Sequence, residues 1–470
     1  MDTLREHYCC QSLNMIVELT NACNLRCKYC FENNQTEERK CSIMRKEILK
    51  KCIDFLVADR ENSHLTFFGG EPLLCKDLIK FGIKYGNKIA REKKKYIAYS
   101  VVTNGTELDD DFISVLNDNN VNVIYSFDGN KFSQNKYRPF TSGKGSYDVV
   151  VGNLKKFLKT RKDERYGHLI IRPTITSDTI ELMNGIYKDL IELGCKEISF
   201  SLVSAEENKD YAIKKGDLEK LSNTYGEMIE IYYSELSNHN SYNKFFESIL
   251  ERIETNAINK EFCDCGKRYI AVDVNGNVYP CEGFIGIEEF RMGNIMSERF
   301  DNCWIAPKNV EENQKCKECW ARYLCGGSCY HEAWMRTGDI NNRDELVCET
   351  YKMAFDYALK LYTKLKEENL YVKKIVNEPL LPTKSIPVTK KSILKKLDNS
   401  IFYVVDGINN RFITLNETAQ RIFELCNGIN TILDIYNIII SEYECESDVY
   451  FDISEIINSF LEEGIIKLTI

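Results

Sequence analysis

The stretch that most constrains this chain is Cys23-Asn24-Leu25-Arg26-Cys27-Lys28-Tyr29-Cys30, three cysteines spaced Cys-x3-Cys-x2-Cys with an aromatic residue before the last. Three thiolates closing in one short loop can hold three corners of a cubane iron–sulfur cluster and leave its fourth iron open. A purely structural metal site closes itself with four ligands. The β-branched, apolar run at 14–20, just ahead of the loop, reads as a strand. The thiols then stand at the carboxyl end of a strand, where α/β barrels keep their chemistry. Taken alone, the octapeptide also allows a zinc loop or three unrelated thiols.

Twenty cysteines against only five histidines favour thiolate-based metal or redox chemistry over histidine sites. No basic, apolar signal segment opens the chain, and no stretch reaches the ~18 consecutive apolar residues of a spanning helix. The expected location is the cytoplasm, where so many cysteines speak against a disulfide framework. A chain of 470 residues suits about three domains at ~150 residues each. Charge is uneven: residues 400–470 hold three Lys/Arg against twelve Asp/Glu, a balance of −9 that equals the net charge of the whole chain. The tail therefore reads as a separate unit with its own partner.

Along residues 12–205, short strands (14–20, 64–68, 97–102, 123–127, 169–175 and 197–202) alternate with amphipathic stretches such as 44–60. That alternation is the mark of βαβ units around a parallel sheet. Cys52 falls on the apolar stripe of the first such helix, as a core residue. The second strand ends in Phe68-Gly69-Gly70-Glu71-Pro72, the third in Thr103-Asn104-Gly105, the fourth in Ser126-Phe127-Asp128-Gly129. The two glycines let backbone approach a ligand closely, with Glu71 as an acceptor beside it.

The cysteine loop and these turns together resemble the radical S-adenosylmethionine (SAM) family. That resemblance implies an α/β fold, a partial (β/α)6 barrel. It implies a [4Fe–4S] cluster on Cys23, Cys27 and Cys30 that binds SAM and cleaves it to a 5′-deoxyadenosyl radical. It further implies that Gly69, Gly70, Glu71 and Pro72 lie at the SAM amino group, with Asn104, Ser126 and Asp128 beside the cofactor. Lys136-Tyr137-Arg138-Pro139 followed by Gly143-Lys144-Gly145-Ser146-Tyr147 is similar to a segment of peptide-modifying members. Those relatives carry His-Asp where this chain has Gln134-Asn135. Arg138 is a further candidate cofactor contact, as is Arg172 on the fifth strand, the latter for the SAM carboxylate. Residues 206–260 read as a helical bridge.

A second cysteine field follows: Cys263-x12-Gly276-x4-Cys281, then Cys316-x2-Cys319-x5-Cys325-x3-Cys329-x18-Cys348, with Cys265 beside the first. The run 271–280 reads as a hairpin turning at Asn275-Gly276, which brings Cys263 and Cys281 together. Spacing alone allows a pair of zinc ribbons. The full order resembles the SPASM domain, which implies two auxiliary [4Fe–4S] clusters. By position, Cys263, Cys281 and Cys329 would hold the first, and Cys316, Cys319, Cys325 and Cys348 the second. Cys265 is either the fourth ligand of the first cluster or leaves that cluster with an open iron. Glu282 occupies the place of a catalytic Asp in sulfatase-maturing relatives, and a solvated carboxylate is the alternative. Cys9, Cys10, Cys41, Cys75, Cys195 and Cys303 fit no spacing.

Three of the chain's eight prolines fall in 376–390, a linker composition. Beyond it, strands at 401–405 and 411–414 across Asp406-Gly407, a helix opening after Asn416, helical patterns at 431–442 and 449–463, and a strand at 465–470 make a winged-helix plan. A −9 balance argues against nucleic acid, since a phosphate backbone demands a basic face. The features Leu415-Asn416-Glu417-Thr418-Ala419, Leu425-Cys426-Asn427-Gly428 and Gly464-Ile465-Ile466 resemble PqqD-like peptide-recognition elements, which implies leader binding as an added strand. Cys426 and Cys445 read as core residues.

The expected order is a radical-SAM barrel (1–205), helical bridge (206–260), SPASM domain (261–375), linker (376–394) and PqqD-like domain (395–470). The resemblances imply a maturase of a ribosomally made, Cys-rich precursor peptide that forms thioether crosslinks. Its cofactors would be SAM and three [4Fe–4S] clusters, and its electron donor a flavodoxin or ferredoxin. The rivals are an anaerobic sulfatase-maturing enzyme and a zinc-ribbon/winged-helix regulator.

Overall fold

Strand β1 (Leu13–Thr20) is buried along almost its whole length, on both faces, which is why it reads as a continuous apolar run. It belongs to a computed structural model that describes residues 12–31, 41–58, 62–161, 167–238, 242–255, 257–297, 306–367, 386–389, 392–398, 401–406, 411–415, 417–443, 449–462 and 465–469. The chain forms two compact units, one of residues 1–90 and 96–375, the other of 91–95 and 376–470.

In the first unit β1 is followed by β2 (Asn62–Gly69), β3 (Tyr96–Thr103), β4 (Asn122–Tyr125), β5 (Leu169–Ile171), β6 (Thr174–Ile175), β7 (Glu197–Ile198), β8 (Ser201–Leu202), β9 (Tyr242–Asn243), β10 (Tyr269–Val272), β11 (Asn277–Tyr279) and β12 (Gly293–Asn294). Ten of them make one sheet in the order β12-β11-β10-β1-β2-β3-β4-β5-β7-β9. From β10 to β9 every pairing is parallel. Helices carry the return crossings. Lys46–Leu56 buries Ile48, Leu49, Cys52, Ile53 and Leu56 on one stripe, and Lys76–Lys93 buries Leu78, Ile79, Ile83 and Ala90. These meet Met15, Val17, Leu65 and Phe67 in the main core.

Four sequence expectations need correction. The strands expected at 169–175 and 197–202 each break in two, at Arg172-Pro173 and Ser199-Phe200, and the outer pieces β6 and β8 pair with each other. Pro173 has no N–H to give a ladder, and the next N–H, Thr174, donates to Asp128 Oδ1 instead (3.1 Å). The bridge at 206–260 contains a strand, β9, between helices Leu218–Asn238 and Lys244–Glu254. The hairpin of the second cysteine field joins the barrel sheet, with β10 beside β1 and Asn14 opposite Tyr269. Gly276 has φ +87° at the expected hairpin tip.

The fourth correction concerns the linker. In the second unit β13 (Ile386–Thr389) pairs antiparallel with β17 (Ile466–Thr469), so the domain begins before residue 395. Strands β14 (Ser392–Asp398), β15 (Ile401–Asp406) and β16 (Arg411–Leu415) form a three-stranded antiparallel sheet. Helices Glu417–Leu425, Ile432–Tyr443 and Val449–Glu462 close a separate core of Ile422, Phe423, Cys426, Ile435, Ile457 and Phe460. The turn at Gly407, Asn416, Cys9, Cys10, Cys303 and Cys445 lie outside the described residues. Among the described residues no helix is long and apolar enough to cross a membrane.

Candidate functional site

The cysteine loop leaves the carboxyl end of β1 and is held by backbone bonds to the segment 137–141. Arg26 N donates to Pro139 O (2.8 Å), Lys28 N to Tyr137 O (2.9 Å) and Thr141 N to Asn24 O (3.0 Å). The Lys-Tyr-Arg-Pro segment is therefore the loop's seat. Cys23, Cys27 and Cys30 are all half-buried and reduced, and the Cys23 thiol feels both other thiols electrostatically. Leu25 N and Asn104 Nδ2 point at Cys23 Sγ (3.4 and 3.8 Å).

Gly69 and Gly70 make a close approach, but to the chain itself. A Cβ on Gly69 (φ +133°) would fall 2.2 Å from Thr20 O, and one on Gly70 2.3 Å from Ala22 O. Gly70 N and Glu71 N donate to those same two carbonyls at 2.8 Å. Pro72 opens a buried 3₁₀ turn, Pro72–Cys75. Glu71 is 0% exposed and its carboxylate accepts from Leu73 N (2.9 Å), Thr103 Oγ1 (2.7 Å) and Asn104 N (2.7 Å). Burial pushes it up to about 7 against those three bonds. The Glu71 carboxylate is thus also a structural acceptor within the chain. It ties the ends of β2 and β3 together and aims Asn104, whose Nδ2 also reaches Asn24 Oδ1 (3.0 Å).

Asp128, buried at the end of β4, binds three elements at once: Arg138 Nε (3.0 Å), Thr174 N (3.1 Å) and the Tyr29 hydroxyl. The Arg138 guanidinium stacks 5.2 Å over the Tyr29 ring and interacts with the Cys27 thiol. Tyr29 packs on Tyr137 (5.8 Å) and Tyr211 (6.4 Å). Gln134, in the place of the relatives' His, accepts from Asp128 N (3.0 Å) and donates to Ser146 Oγ (2.9 Å). Asn135 Oδ1 accepts from Tyr147 N (2.9 Å). The pair is a brace. Ser126 is half-buried, its N–H donating to Thr103 O (2.8 Å). Arg172 is exposed at the strand break.

The second field gathers into two groups. Cys265, 3% exposed, hydrogen-bonds with the thiols of Cys263 and Cys281, and Cys329 interacts with Cys281 and Cys263. Cys316, Cys319, Cys325 and Cys348 line one cavity of about 290 Å³. Among the described residues no three His, Cys, Asp or Glu side chains gather about a single point as one lone ion would require. Four thiols around one cavity fit a four-iron cluster, in which each iron takes one thiolate. Glu282 accepts from the Tyr269 hydroxyl (2.9 Å). Phe31, directly after Cys30, stacks on Phe68 (6.3 Å) and meets His331 (6.0 Å), so an aromatic wall joins the first loop to the second field. Sequence reasoning missed His331, Glu332 and Arg343. Nothing in their local pattern separates them from ordinary helix and loop residues.

A parallel sheet with three thiols at the carboxyl end of its first strand, extended by a cysteine-rich hairpin, defines an iron–sulfur enzyme of the barrel class. Family models narrow this. The radical SAM superfamily matches residues 17–184, an iron–sulfur cluster-binding domain (SPASM) residues 263–320, and the coenzyme PQQ synthesis protein D family residues 402–466. The chain is a radical SAM enzyme with SPASM and PqqD domains, its cofactors SAM and [4Fe–4S] clusters, and this combination is that of a peptide-modifying enzyme.

It is similar to a cysteine-type anaerobic sulfatase-maturating enzyme of Clostridium perfringens, 27% identical over 375 residues, covering 73% of this chain and 95% of that one. The solved structure of native anSMEcpe with bound AdoMet and Cp18Cys peptide shares the fold, with a TM-score of 0.63 at 24% identity over 76% of this chain and 100% of that one. Streptococcus suis SuiB bound to precursor peptide SuiA has a TM-score of 0.50 at 18% identity, over 73% and 77%.

Proposed function

We propose that the chain matures a ribosomally made, Cys-rich precursor peptide by linking a cysteine sulfur to carbon. The observation that carries this reading is the second unit, with its own core, its PqqD match at 402–466 and a three-stranded sheet whose outer strands β14 and β16 each pair on one side only among the described residues. Such an edge accepts a peptide as an added strand. Its surplus of twelve acidic over three basic residues at 400–470 favours a basic leader.

When bound, SAM and its cluster supply a radical able to remove a carbon-bound hydrogen. Thioether formation would take that hydrogen, a thiol proton and one further electron from the peptide, and the auxiliary clusters, when bound, would supply a place for that electron. The chain's own residues hold the parts in place. Cys23, Cys27 and Cys30 would hold the first cluster. Gly69, Gly70, Glu71, Pro72, Asn104, Ser126 and Asp128 would shape the SAM cleft, with Arg138 buttressing Tyr29 and Arg172 at its rim. Cys263, Cys265, Cys281 and Cys329 would hold one auxiliary cluster, and Cys316, Cys319, Cys325 and Cys348 the other. Glu282 stands beside the former as a candidate base. A flavodoxin or ferredoxin would supply electrons.

The similarity to sulfatase-maturating enzymes favours a second reading, oxidation of Cys or Ser to formylglycine. About a quarter of this chain has no counterpart in the first of those relatives. Mass spectrometry of the peptide encoded beside the enzyme, after anaerobic reaction with SAM and reductant, decides between them. Loss of two hydrogens together with loss of one alkylatable cysteine thiol per crosslink supports the maturase; an aldehyde captured by a hydrazine probe hands the function to the second reading. Removing residues 376–470 is expected to leave SAM cleavage intact while peptide processing falls sharply. Leader affinity should be micromolar, about −8 kcal/mol, and weaken with salt.

A further inference from the structure

Arg343 is one of the largest fully buried side chains among the described residues, at 1% exposure. It lines the same cavity as Cys316, Cys319, Cys325 and Cys348. Nη1 donates to Ile340 O (2.8 Å), and the guanidinium lies 4.9 Å over the Tyr330 ring. Nε has no partner, and among the described residues no carboxylate forms an ion pair with Arg343. Glu345 and Glu349 share the cavity lining but are exposed. The chain makes room for this charge: Gly327, at φ +104°, would place a Cβ 3.3 Å from Arg343 Nη2. A buried cation left without a counter-charge is strongly disfavoured. The negative charge it faces across the cavity would come from Cys316, Cys319, Cys325 and Cys348 once these four thiols hold a cluster.

The other auxiliary group is flanked by carboxylates: Glu282, next to Cys281, accepts from the Tyr269 hydroxyl (2.9 Å), and Asp264, between Cys263 and Cys265, is paired with Arg268 (2.8 Å). Positive charge and hydrogen bonds at the sulfurs of a cluster favour its reduced, more negative form, and nearby carboxylates disfavour it.

We propose that Arg343 is a positioning residue that sets the reduction potential of the cluster on Cys316, Cys319, Cys325 and Cys348 above that of its neighbour on Cys263, Cys265, Cys281 and Cys329. Electrons removed from substrate would then settle on the second cluster. This rests on the ligand sets given above, and the experiment separates the two ideas. Iron and labile sulfide in Cys348→Ala, with the electron paramagnetic resonance signal that variant loses, test and identify the second cluster. Anaerobic redox titration of full-length Arg343→Gln and Arg343→Lys then tests the arginine. In R343Q the second cluster's midpoint is expected to fall so that its reduced-to-oxidised ratio at the original midpoint drops at least tenfold, 59 mV for one electron. R343K keeps the charge but loses the planar fork and should fall less. The first cluster's midpoint stays put in both. If R343Q fails to load the second cluster, R343K decides alone. An unshifted midpoint in R343Q, equal shifts of both clusters or, where R343K decides alone, an unshifted midpoint in R343K overturns the proposal.

Discussion

The loop at 23–30 and the field at 263–348 both gather cysteines, but by opposite means. The first packs three thiols into eight residues and hangs the loop on backbone bonds to 137–141, with Glu71 and Asp128 fastening the surrounding turns. The second brings eight thiols together across 86 residues, from a hairpin, short helices and the start of the helix Glu345–Glu367. A short loop fixes its ligands by local geometry, whereas a dispersed set depends on the sheet that carries it. The pairing of β10 with β1 supplies that sheet, so the two regions share one scaffold.

The largest effect that tests this contrast is complete. Replacing Cys23, Cys27 and Cys30 together by Ala should abolish 5′-deoxyadenosine formation from SAM while about eight irons per chain remain, two four-iron cubanes. Loss of all iron would show that the dispersed set cannot assemble without the local one. Next in size, Cys265→Ala should remove about four irons, because its thiol sits among those of Cys263 and Cys281. Retention of every iron would show a first auxiliary cluster held by three thiols.

The same contrast explains what the sequence disclosed. Spacing revealed the first loop because its ligands are neighbours in sequence as well as in space. It also revealed where β1 to β4 lie, although β1, β2 and β3 run beyond the expected 14–20, 64–68 and 97–102, and β4 stops short of 127. Spacing alone could not show that the strands at 169–175 and 197–202 bend together, because the cause is non-local: Asp128 captures Thr174 N. Nor could it show what Glu71 and Gly70 do, because their partners lie 32 and 50 residues away in sequence, at Thr103 and Thr20. Arg343 was silent for the same reason. A buried arginine declares itself only through what surrounds it.

A smaller effect probes the fastening of the first region. Asp128→Asn leaves Arg138 buried and without its anion, which should cost about 3 kcal/mol in denaturant unfolding. Arg138→Met in the same chain should return part of that loss, since removing both partners avoids the unpaired charge. A double variant no more stable than D128N would show that the stabilisation comes from the Tyr29 and Thr174 bonds to Asp128 instead.

The smallest expected effect compares two buried glutamates, one in each region. Burial pushes both Glu71 and Glu332 up to about 7, Glu71 against three hydrogen bonds and Glu332 against Arg336 and Ser204. Both folded values lie above the ordinary 4.5, so between about 4.5 and 7 the native state holds more protons than the unfolded one. Stability from each group is therefore full below 4.5 and is lost as pH rises toward 7, with a slope of at most about 1.4 kcal/mol per pH unit. Glu71→Gln removes its share of that slope. It also sets a donor amide against the N–H of Leu73 or Asn104, or the Thr103 hydroxyl, at a cost of about 1–3 kcal/mol. In guanidinium melts the gap between wild type and E71Q should be widest near pH 5 and narrow toward pH 7. Glu332→Gln should give the same narrowing from a smaller starting gap, because it leaves no comparable set of backbone donors facing an amide. Profiles that run parallel across this window would mean that neither carboxyl takes up its proton on folding, and that three hydrogen bonds at Glu71 outweigh its burial.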